Sequence, residues 1–418
     1  MFDIKILGAG KEVGRSAIHV STGSEKFLMD YGLEVQNGTV PIPPGLDMTA
    51  VLLSHAHIDH SGMLPELYKK GYHGSVYALP VTFDLCDLLL YDSIKVQQKK
   101  GEVPHFMEHD IKKMFRMREE AQFRTPIEFG SSSVEFRDAG HIPGSSSIIV
   151  ENSGKRLLYT GDIKFSETSL MKGADDSMKD IDIIISECTY AYGNHPDRAK
   201  LTDKLREIVQ ETYYQGGTTL LPSFAIGRTQ ELLTMLGDLG VPTVVDGMGI
   251  EATDSIIRYP ESIKDPRRLQ RAFGKARKIG RRKDRDVALE RPSIIITTAG
   301  MLNGGPVGHY IKNLHDREDC ALILTGYQVE GTVGRGLMDT GRYKNEGINV
   351  EIRNHFEFMD FSAHTDRNHL IKFYKKLSPE KIVLVHGEQG IDEFAAELKG
   401  MGFDVVAPEN GQKIMFGK

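Results

Sequence analysis

The sequence predicts a mixed α/β fold built as a sandwich, and three observations predict it. Short β-rich runs alternate with helical stretches along all 418 residues. Between about residues 133 and 160, strands follow one another with no helix between them, unlike a purely doubly wound sheet. No repeat, low-complexity tract or long linker breaks the pattern, so a second domain has to be inserted between two crossings of the chain.

Taken in chain order, FDIKIL (Phe2–Leu7) alternates as a half-buried strand does, and AVLLS (Ala50–Ser54) is a short apolar run of strand length. Val81–Lys100 and Glu108–Glu119 are too long for strands and read as helices. SVEFR (Ser133–Arg137) alternates again. SIIV (Ser147–Val150) and RLLYT (Arg156–Thr160) form a hairpin with its turn around Asn152–Gly154. DIIIS (Asp182–Ser186), TTLL (Thr218–Leu221), SIIIT (Ser293–Thr297), ALILT (Ala321–Thr325) and KIVLV (Lys381–Val385) read as buried strands. Leu201–Gln215, Arg228–Leu239 and His369–Leu377 are the helices among them.

Composition narrows the function. With 40% hydrophobic residues the chain can bury one large core or two ordinary ones. It has no apolar run of about 18 residues, so no membrane span is expected. The opening MFDIKILGAGKEVG lacks a signal peptide's basic-then-apolar layout, so a cytoplasmic location is expected. Cys86, Cys188 and Cys320 form no CxxC pair and read as small core residues rather than thiolate ligands or disulfides. Any metal must therefore use histidine and carboxylate.

A net charge of −6 excludes a uniformly basic nucleic-acid binder. The segment RRLQRAFGKARKIGRRKDRD, residues 267–286, nevertheless carries ten basic and two acidic residues. By itself such a run reads as a solvated face, but its density also suits a phosphate-tracking surface.

The strongest chemical signal is Ser54-His55-Ala56-His57-Ile58-Asp59-His60. One histidine is ordinarily a satisfied core or surface residue. Three histidines and an aspartate in this run would be costly to bury together unpaired, whereas neutral imidazole and carboxylate suit Zn²⁺. His141, Asp162 and His386 each follow a β-rich run, and strand carboxyl ends are where α/β sheets collect ligands. Seven ligands imply two metals. His55, His57 and His141 are assigned to one, Asp59, His60 and His386 to the other, and Asp162 bridges them. Two ions about 3.5–4 Å apart can activate water and grip a phosphate. The same ligands accept manganese.

These motifs resemble the metallo-β-lactamase superfamily, whose signature is HxHxDH. More narrowly, the chain is similar to the β-CASP nucleases, the group of the cleavage and polyadenylation specificity factor 73 kDa subunit and its archaeal and bacterial homologues. Six further blocks carry the likeness: LGAGKEVGRS, SECTYAYG, LPSFAIGRTQELL, GYQVEGTVGRGL, FSAHTD and LVHGEQ. The resemblance implies an αββα sandwich (1–192 and 356–418) with an inserted α/β β-CASP domain (193–355). It implies two zinc ions and single-stranded RNA as substrate. It implies catalytic roles for His364, which would protonate the leaving oxygen or stabilise the phosphate, and for Glu187, which would orient a histidine. Asp59 joins them as ligand and catalytic residue. Alone, His364 reads as a neighbour of a helix cap and Glu187 as a salt-bridge partner.

The insert would carry the basic stretch over the active site, which favours phosphate binding there. Arg228, Arg335 and Ser362 are candidate substrate-binding residues; for Arg228 a structural ion pair weighs equally. A homodimer or an RNA-processing complex is a further implication of the family. With the first strand at Phe2, no N-terminal RNA-binding domain is expected, nor a long C-terminal extension. FSAHTD and LVHGEQ lean toward the cleavage-factor branch rather than the 5′→3′ exonucleases of the ribonuclease J group. The expected activity is endonucleolytic, with 5′→3′ exonuclease action also open. Three alternatives compete. A zinc hydrolase of DNA or a small ester is disfavoured by the long insert. A scaffold is disfavoured by the complete ligand set, and a dinucleotide site by the spacing of GAGKEVG.

Overall fold

The computed structural model describes residues 2–416 and divides them into two compact units. The first comprises residues 2–167, 173–194 and 364–416; the second comprises 168–172 and 195–363.

Two seven-stranded sheets form the first unit. One runs in the order Lys413–Phe416, Phe2–Gly8, Ala17–Ser21, Lys26–Met29, Ala50–Leu52, Ser75–Ala78, Arg118–Glu120. The other runs Val405–Val406, Lys381–Val385, Ile183–Glu187, Lys155–Tyr159, Ser146–Asn152, Ser132–Asp138, Ile127–Phe129. Each sheet is antiparallel on one side and parallel on the other. The hairpin turns through Ser153 and Gly154, both at positive φ (52° and 75°), while Asn152 pairs with Lys155. That is the two-residue turn whose twist matches its strands.

Alternation along the strands sorts the core. Leu158, Ile184, Ile382 and Leu384 pack with Leu370, Phe373 and Tyr374 of helix Arg367–Leu377 and with Phe394 and Leu398 of helix Ile391–Gly400. Leu157, Tyr159, Ile183 and Ile185, one residue out of phase, are equally buried but lie outside that cluster. From this set the Tyr159 hydroxyl donates to Asp30 Oδ2 (2.7 Å), just past the strand Lys26–Met29 of the first sheet.

The second unit is a six-stranded all-parallel sheet in the order Arg277–Ile279, Thr243–Asp246, Ile294–Thr297, Thr219–Pro222, Ala321–Leu324, His355–Phe358. Its central strands are buried throughout, as a sheet covered on both faces requires. A separate hairpin pairs Arg342–Asn345 with Ile348–Glu351.

All ten expected strands occur, with bounds shifted by no more than two residues. The expected helix Glu108–Glu119 ends at Arg116, because Arg118–Glu120 becomes an exposed edge strand beside Ser75–Ala78. Helix Arg228–Leu239 stops at Leu236, and Leu201–Gln215 begins earlier, at Arg198, where the Asp197 carboxylate caps it. Strand His355–Phe358 extends the second unit's sheet, so the chain re-enters the first unit at His364 rather than near 355. No helix among the described residues is long and apolar enough to cross a membrane.

Candidate active site

Strand Ala50–Leu52 ends in a short extension carrying His55 and His57, and His57 heads the helix Ile58–Ser61. His60 and Ser61 both donate their amides to the His57 carbonyl at 2.9 Å. The run therefore changes from extended to helical within itself, which turns Asp59 and His60 toward the same point as His55 and His57. Neighbouring backbone holds it there. Ser16, Tyr31 and Leu33 amides donate to the carbonyls of Asp59, His60 and Ile58 at 2.7, 2.8 and 2.9 Å. Gly32 is required by this approach: a Cβ there would lie 1.7 Å from the Asp59 carbonyl oxygen.

The other residues arrive from strand ends of the second sheet. Asp162 follows Lys155–Tyr159, Glu187 ends Ile183–Glu187, and His386 follows Lys381–Val385. His386 sits in the left-handed region (φ 51°). Its amide donates to the Ala9 carbonyl (2.8 Å), and its own carbonyl accepts from Thr189 Oγ1 (3.1 Å).

Two groups of four ligand atoms result, each with its atoms within 4.8 Å of one another and sharing Asp162. In the first, His57 Nδ1 lies 3.2 Å from His55 Nε2 and 3.1 Å from His141 Nε2. Asp162 Oδ2 lies 3.5 and 3.6 Å from those two Nε2 atoms. In the second, His60 Nε2 lies 3.3 Å from Asp162 Oδ1, and His386 Nε2 lies 3.3 Å from Asp59 Oδ2. Four tetrahedral ligands bonded to zinc at about 2.0–2.1 Å sit about 3.3 Å from one another, so the spacing fits the ion. Buried Asp162 Oδ1 has no donor in hydrogen-bonding geometry, as an oxygen reserved for a cation would not.

A third grouping, Asp162, Glu187, His364 and His386, meets the same distance limit. Glu187 in it is already engaged: it accepts from the Ile163 amide (2.7 Å), Thr189 Oγ1 (2.6 Å) and His364 Nδ1 (3.0 Å). It reads as a hydrogen-bonded brace. Lys164 Nζ donates to the His364 carbonyl at 2.8 Å, fixing the same histidine from its backbone.

Charge at the site is arranged for a cation. Burial, with the neighbouring imidazoles, holds His55 well below the ordinary imidazole range; burial also lowers His57, so both are in the neutral ligating form. Burial works against ionisation of Asp162 and Asp59, yet the surrounding histidines keep both below the usual carboxylate range. Burial likewise opposes a charged His60, but Asp162, Asp59 and Asp30 together raise it well above its ordinary value. His364 is raised to about 9 by Glu187 and Asp162 against the effect of its burial. Imidazoles kept protonated by neighbouring carboxylates in this way release their protons when a metal binds.

Sequence reasoning missed Asp30. It is fully buried and accepts from the Ser54 amide and hydroxyl, His60 Nδ1 and the Tyr159 hydroxyl, all at 2.7 Å. Its placement after the strand KFLM is the same signal that found Asp162. Thr189, which bridges Glu187 and His386 Nδ1 (3.1 Å), was inside the SECTYAYG block but not singled out.

Arg228, Arg335 and Ser362 belong to the second unit. Arg228 is buried, with its guanidinium bonded to Glu231 and to the Phe361 carbonyl. Of its two readings, the geometry is that of an ion pair, joined by Arg198 bonded to Glu231 at 2.6 Å. Arg335 is exposed and bonds Asp339 one helical turn on (3.0 Å). Ser362 is buried, and its amide donates to Asp360 Oδ1 (3.0 Å). In the basic stretch, Leu269, Ala272 and Phe273 are buried, while Arg285 pairs with Asp246 (2.6 Å) and Arg268 with Asp238 (3.2 Å). Arg267, Arg271, Lys275, Arg277 and Arg282 are exposed and form no ion pair among the described residues, and exposed Lys283 lies beside Asp284.

Two substitutions test this geometry. Gly32→Ala should destabilise the first unit by about 2–4 kcal/mol, because backbone must move to admit the methyl group; an unchanged thermal midpoint would show that the contact relaxes freely. Arg228→Ala should cost about 3 kcal/mol by stranding the buried Glu231, read as a lowered denaturation midpoint. If stability is instead retained and only substrate affinity falls, Arg228 is a binding residue.

Residues 229–337 match the Beta-Casp domain family, and residues 349–408 match the Zn-dependent metallo-hydrolase RNA specificity domain family. Residues 4–215 match the Anti-Pycsar protein Apyc1 family. The chain is 35% identical to Probable RNase MJ4 of Methanocaldococcus jannaschii over 99% of each chain. It is 34% identical to RNase aCSPSF2 of Saccharolobus solfataricus, covering 98% of this chain and 85% of that one. Transcription termination factor FttA of Methanocaldococcus jannaschii is 33% identical, over 92% of this chain and 67% of its own. A crystal structure of a protein of unknown function from Enterococcus faecalis has the same fold, with a TM-score of 0.67 at 16% identity over 99% of this chain and 100% of that one. With both domain signatures and end-to-end likeness to these relatives, the chain belongs to the β-CASP family of metallo-β-lactamase nucleases.

Proposed function

We propose that this protein is a two-zinc ribonuclease that hydrolyses phosphodiester bonds of single-stranded RNA. The observation that carries the reading is the pair of four-ligand groups joined through Asp162. His55, His57 and His141 would hold one ion, Asp59, His60 and His386 the other, and Asp162 both. When bound, two such ions supply Lewis acidity that activates water and neutralises charge developing on the phosphate. The relatives named as ribonucleases support RNA as the substrate, and a small-ester or DNA hydrolase is not favoured.

The chain's own residues supply the proton and the grip. Glu187 accepts from His364 Nδ1, which leaves Nε2 to protonate the departing oxygen. Nε2 lies 3.9 Å from Asp162 Oδ2, within reach of a group held at the shared carboxylate. The exposed cations of residues 267–283 form a face suited to tracking phosphates. Cleavage within the chain is the proposed mode, with 5′→3′ exonuclease action as a second mode, in a cytoplasmic setting.

Cleavage of a 5′-labelled single-stranded RNA, bearing either a 5′-monophosphate or a blocked end, separates these modes. Asp162→Ala should lose bound zinc and all cleavage, while His364→Ala should keep its zinc and lose about 10²–10⁴-fold in kcat. Internal fragments from both RNAs indicate endonuclease action; mononucleotides released only from the monophosphate end indicate the exonuclease. No cleavage by the wild type with zinc or manganese would refute the ribonuclease reading. Asp30→Asn, by disturbing the tautomer and orientation of His60, should weaken zinc binding about 10–100-fold in competition with a chelator; unchanged affinity would reduce Asp30 to a purely structural role.

A further inference from the structure

The SFAIG segment after strand Thr219–Pro222 has a feature that metal chemistry does not use. Phe224 is a large apolar side chain left 38% exposed. No ring or cation–π contact engages it among the described residues. Its backbone, in contrast, is firmly held. The Phe224 carbonyl accepts from the Thr229 amide (3.2 Å) and hydroxyl (2.7 Å), and the Ser223 amide donates to Thr297 (2.9 Å). Gln230 braces the same loop through the Ala225 carbonyl (2.9 Å) and the Gly227 amide (2.7 Å). A rigid loop thus presents an aromatic ring to the outside.

The position has a topological meaning. From Thr219–Pro222 the chain crosses to Thr243–Asp246 on one side of the sheet; from the adjacent Ile294–Thr297 it crosses to Ala321–Leu324 on the other. Open α/β sheets bind ligands outside the carboxyl ends of two such diverging strands. Phe224 stands there, against glycines of the two flanking strand-end loops. A Cβ on Gly300 would lie 3.3 Å from Phe224 Cδ2, and one on Gly326 would lie 3.1 Å from Cε2. The ring therefore rests on backbone at both places, with no side chain beside it from either glycine.

We propose that Phe224 is a stacking platform for one nucleobase of the bound RNA strand. Phenylalanine offers no hydrogen bond, so its partner must present an apolar or π surface, and every base has one. Recognition of this kind is tolerant of sequence and sets how the strand is seated, which makes Phe224 a positioning residue. Because the loop is already ordered, little freedom is lost when a base docks. The proposal rests on the ribonuclease reading for its ligand.

The test is an abasic scan. A short RNA is cleaved by the full-length zinc enzyme, with each nucleotide in turn replaced by an abasic ribose. In the wild type, one position should lower kcat/KM about tenfold, mainly through KM. In Phe224→Ala that position alone should cease to matter, whereas Phe224→Trp should restore the effect. Thermal midpoints are measured alongside, and Phe224→Trp, which keeps an aromatic ring against both glycine loops, controls for lost packing. An identical abasic profile in wild type and Phe224→Ala overturns the proposal. To separate this from failure of the ribonuclease reading, a cleavage-resistant phosphorothioate RNA carrying 2-aminopurine is titrated with the same proteins. Fluorescence quenching by wild type but not by Phe224→Ala supports stacking even without cleavage; no quenching by wild type at any labelled position overturns it.

Discussion

Asp30 accepts four hydrogen bonds at a point that solvent does not reach, and the candidate site is arranged around that carboxylate. Its donors come from the end of one strand, from the loop and helix that follow it, and from a tyrosine on the other sheet. A buried carboxylate is costly unless its oxygens are satisfied, so these four donors are not free to wander. Because His60 gives its Nδ1 proton to Asp30, its Nε2 is directed to the point where Asp59, Asp162 and His386 converge. The bond that joins the two sheets is therefore made to the same carboxylate that orients a candidate ligand. Stability and chemistry share one group here.

The rest of the site extends this logic. Glu187 does for His364 what Asp30 does for His60: each binds one imidazole nitrogen and leaves the other directed at Asp162. Backbone is held under constraint to the same end. His386 adopts the left-handed conformation, which costs free energy for any residue with a Cβ, and bonds to Ala9 and Thr189 keep it there. Gly32 admits the Asp59 carbonyl only because it has no side chain. The second unit contributes a different kind of surface, with a braced aromatic at the sheet's carboxyl edge and exposed cations on Pro266–Lys275 and the strand after it. The proposed grip on RNA rests on these features.

Much of this was legible in the amino-acid sequence. The strands were, because apolar β-branched runs bounded by polar residues report burial directly, and so was the hairpin, its turn read around Asn152–Gly154 between two β-rich runs. So was the histidine–aspartate run, whose four candidate ligands fall within six residues and need no tertiary contact to be noticed. His141, Asp162 and His386 were found by position, each just beyond a strand. The sequence also carried the family blocks, in order and from end to end.

Tertiary structure alone decided which polar residues serve the ligands and which serve the fold. Asp30 and Asp162 look alike in sequence, each after an apolar strand, yet one converges on the ligand atoms and the other holds a histidine from behind. Only the packing of two sheets tells them apart. Arg228 could equally have met a phosphate or a carboxylate, and the burial of Glu231 beside it settles its observed partner. The end of helix Glu108–Arg116 was set by an edge strand's pairing, not by propensity. The reason is common to all three: periodicity and residue type record how far a side chain is buried and what it can bond. They do not record which distant segment arrives to meet it.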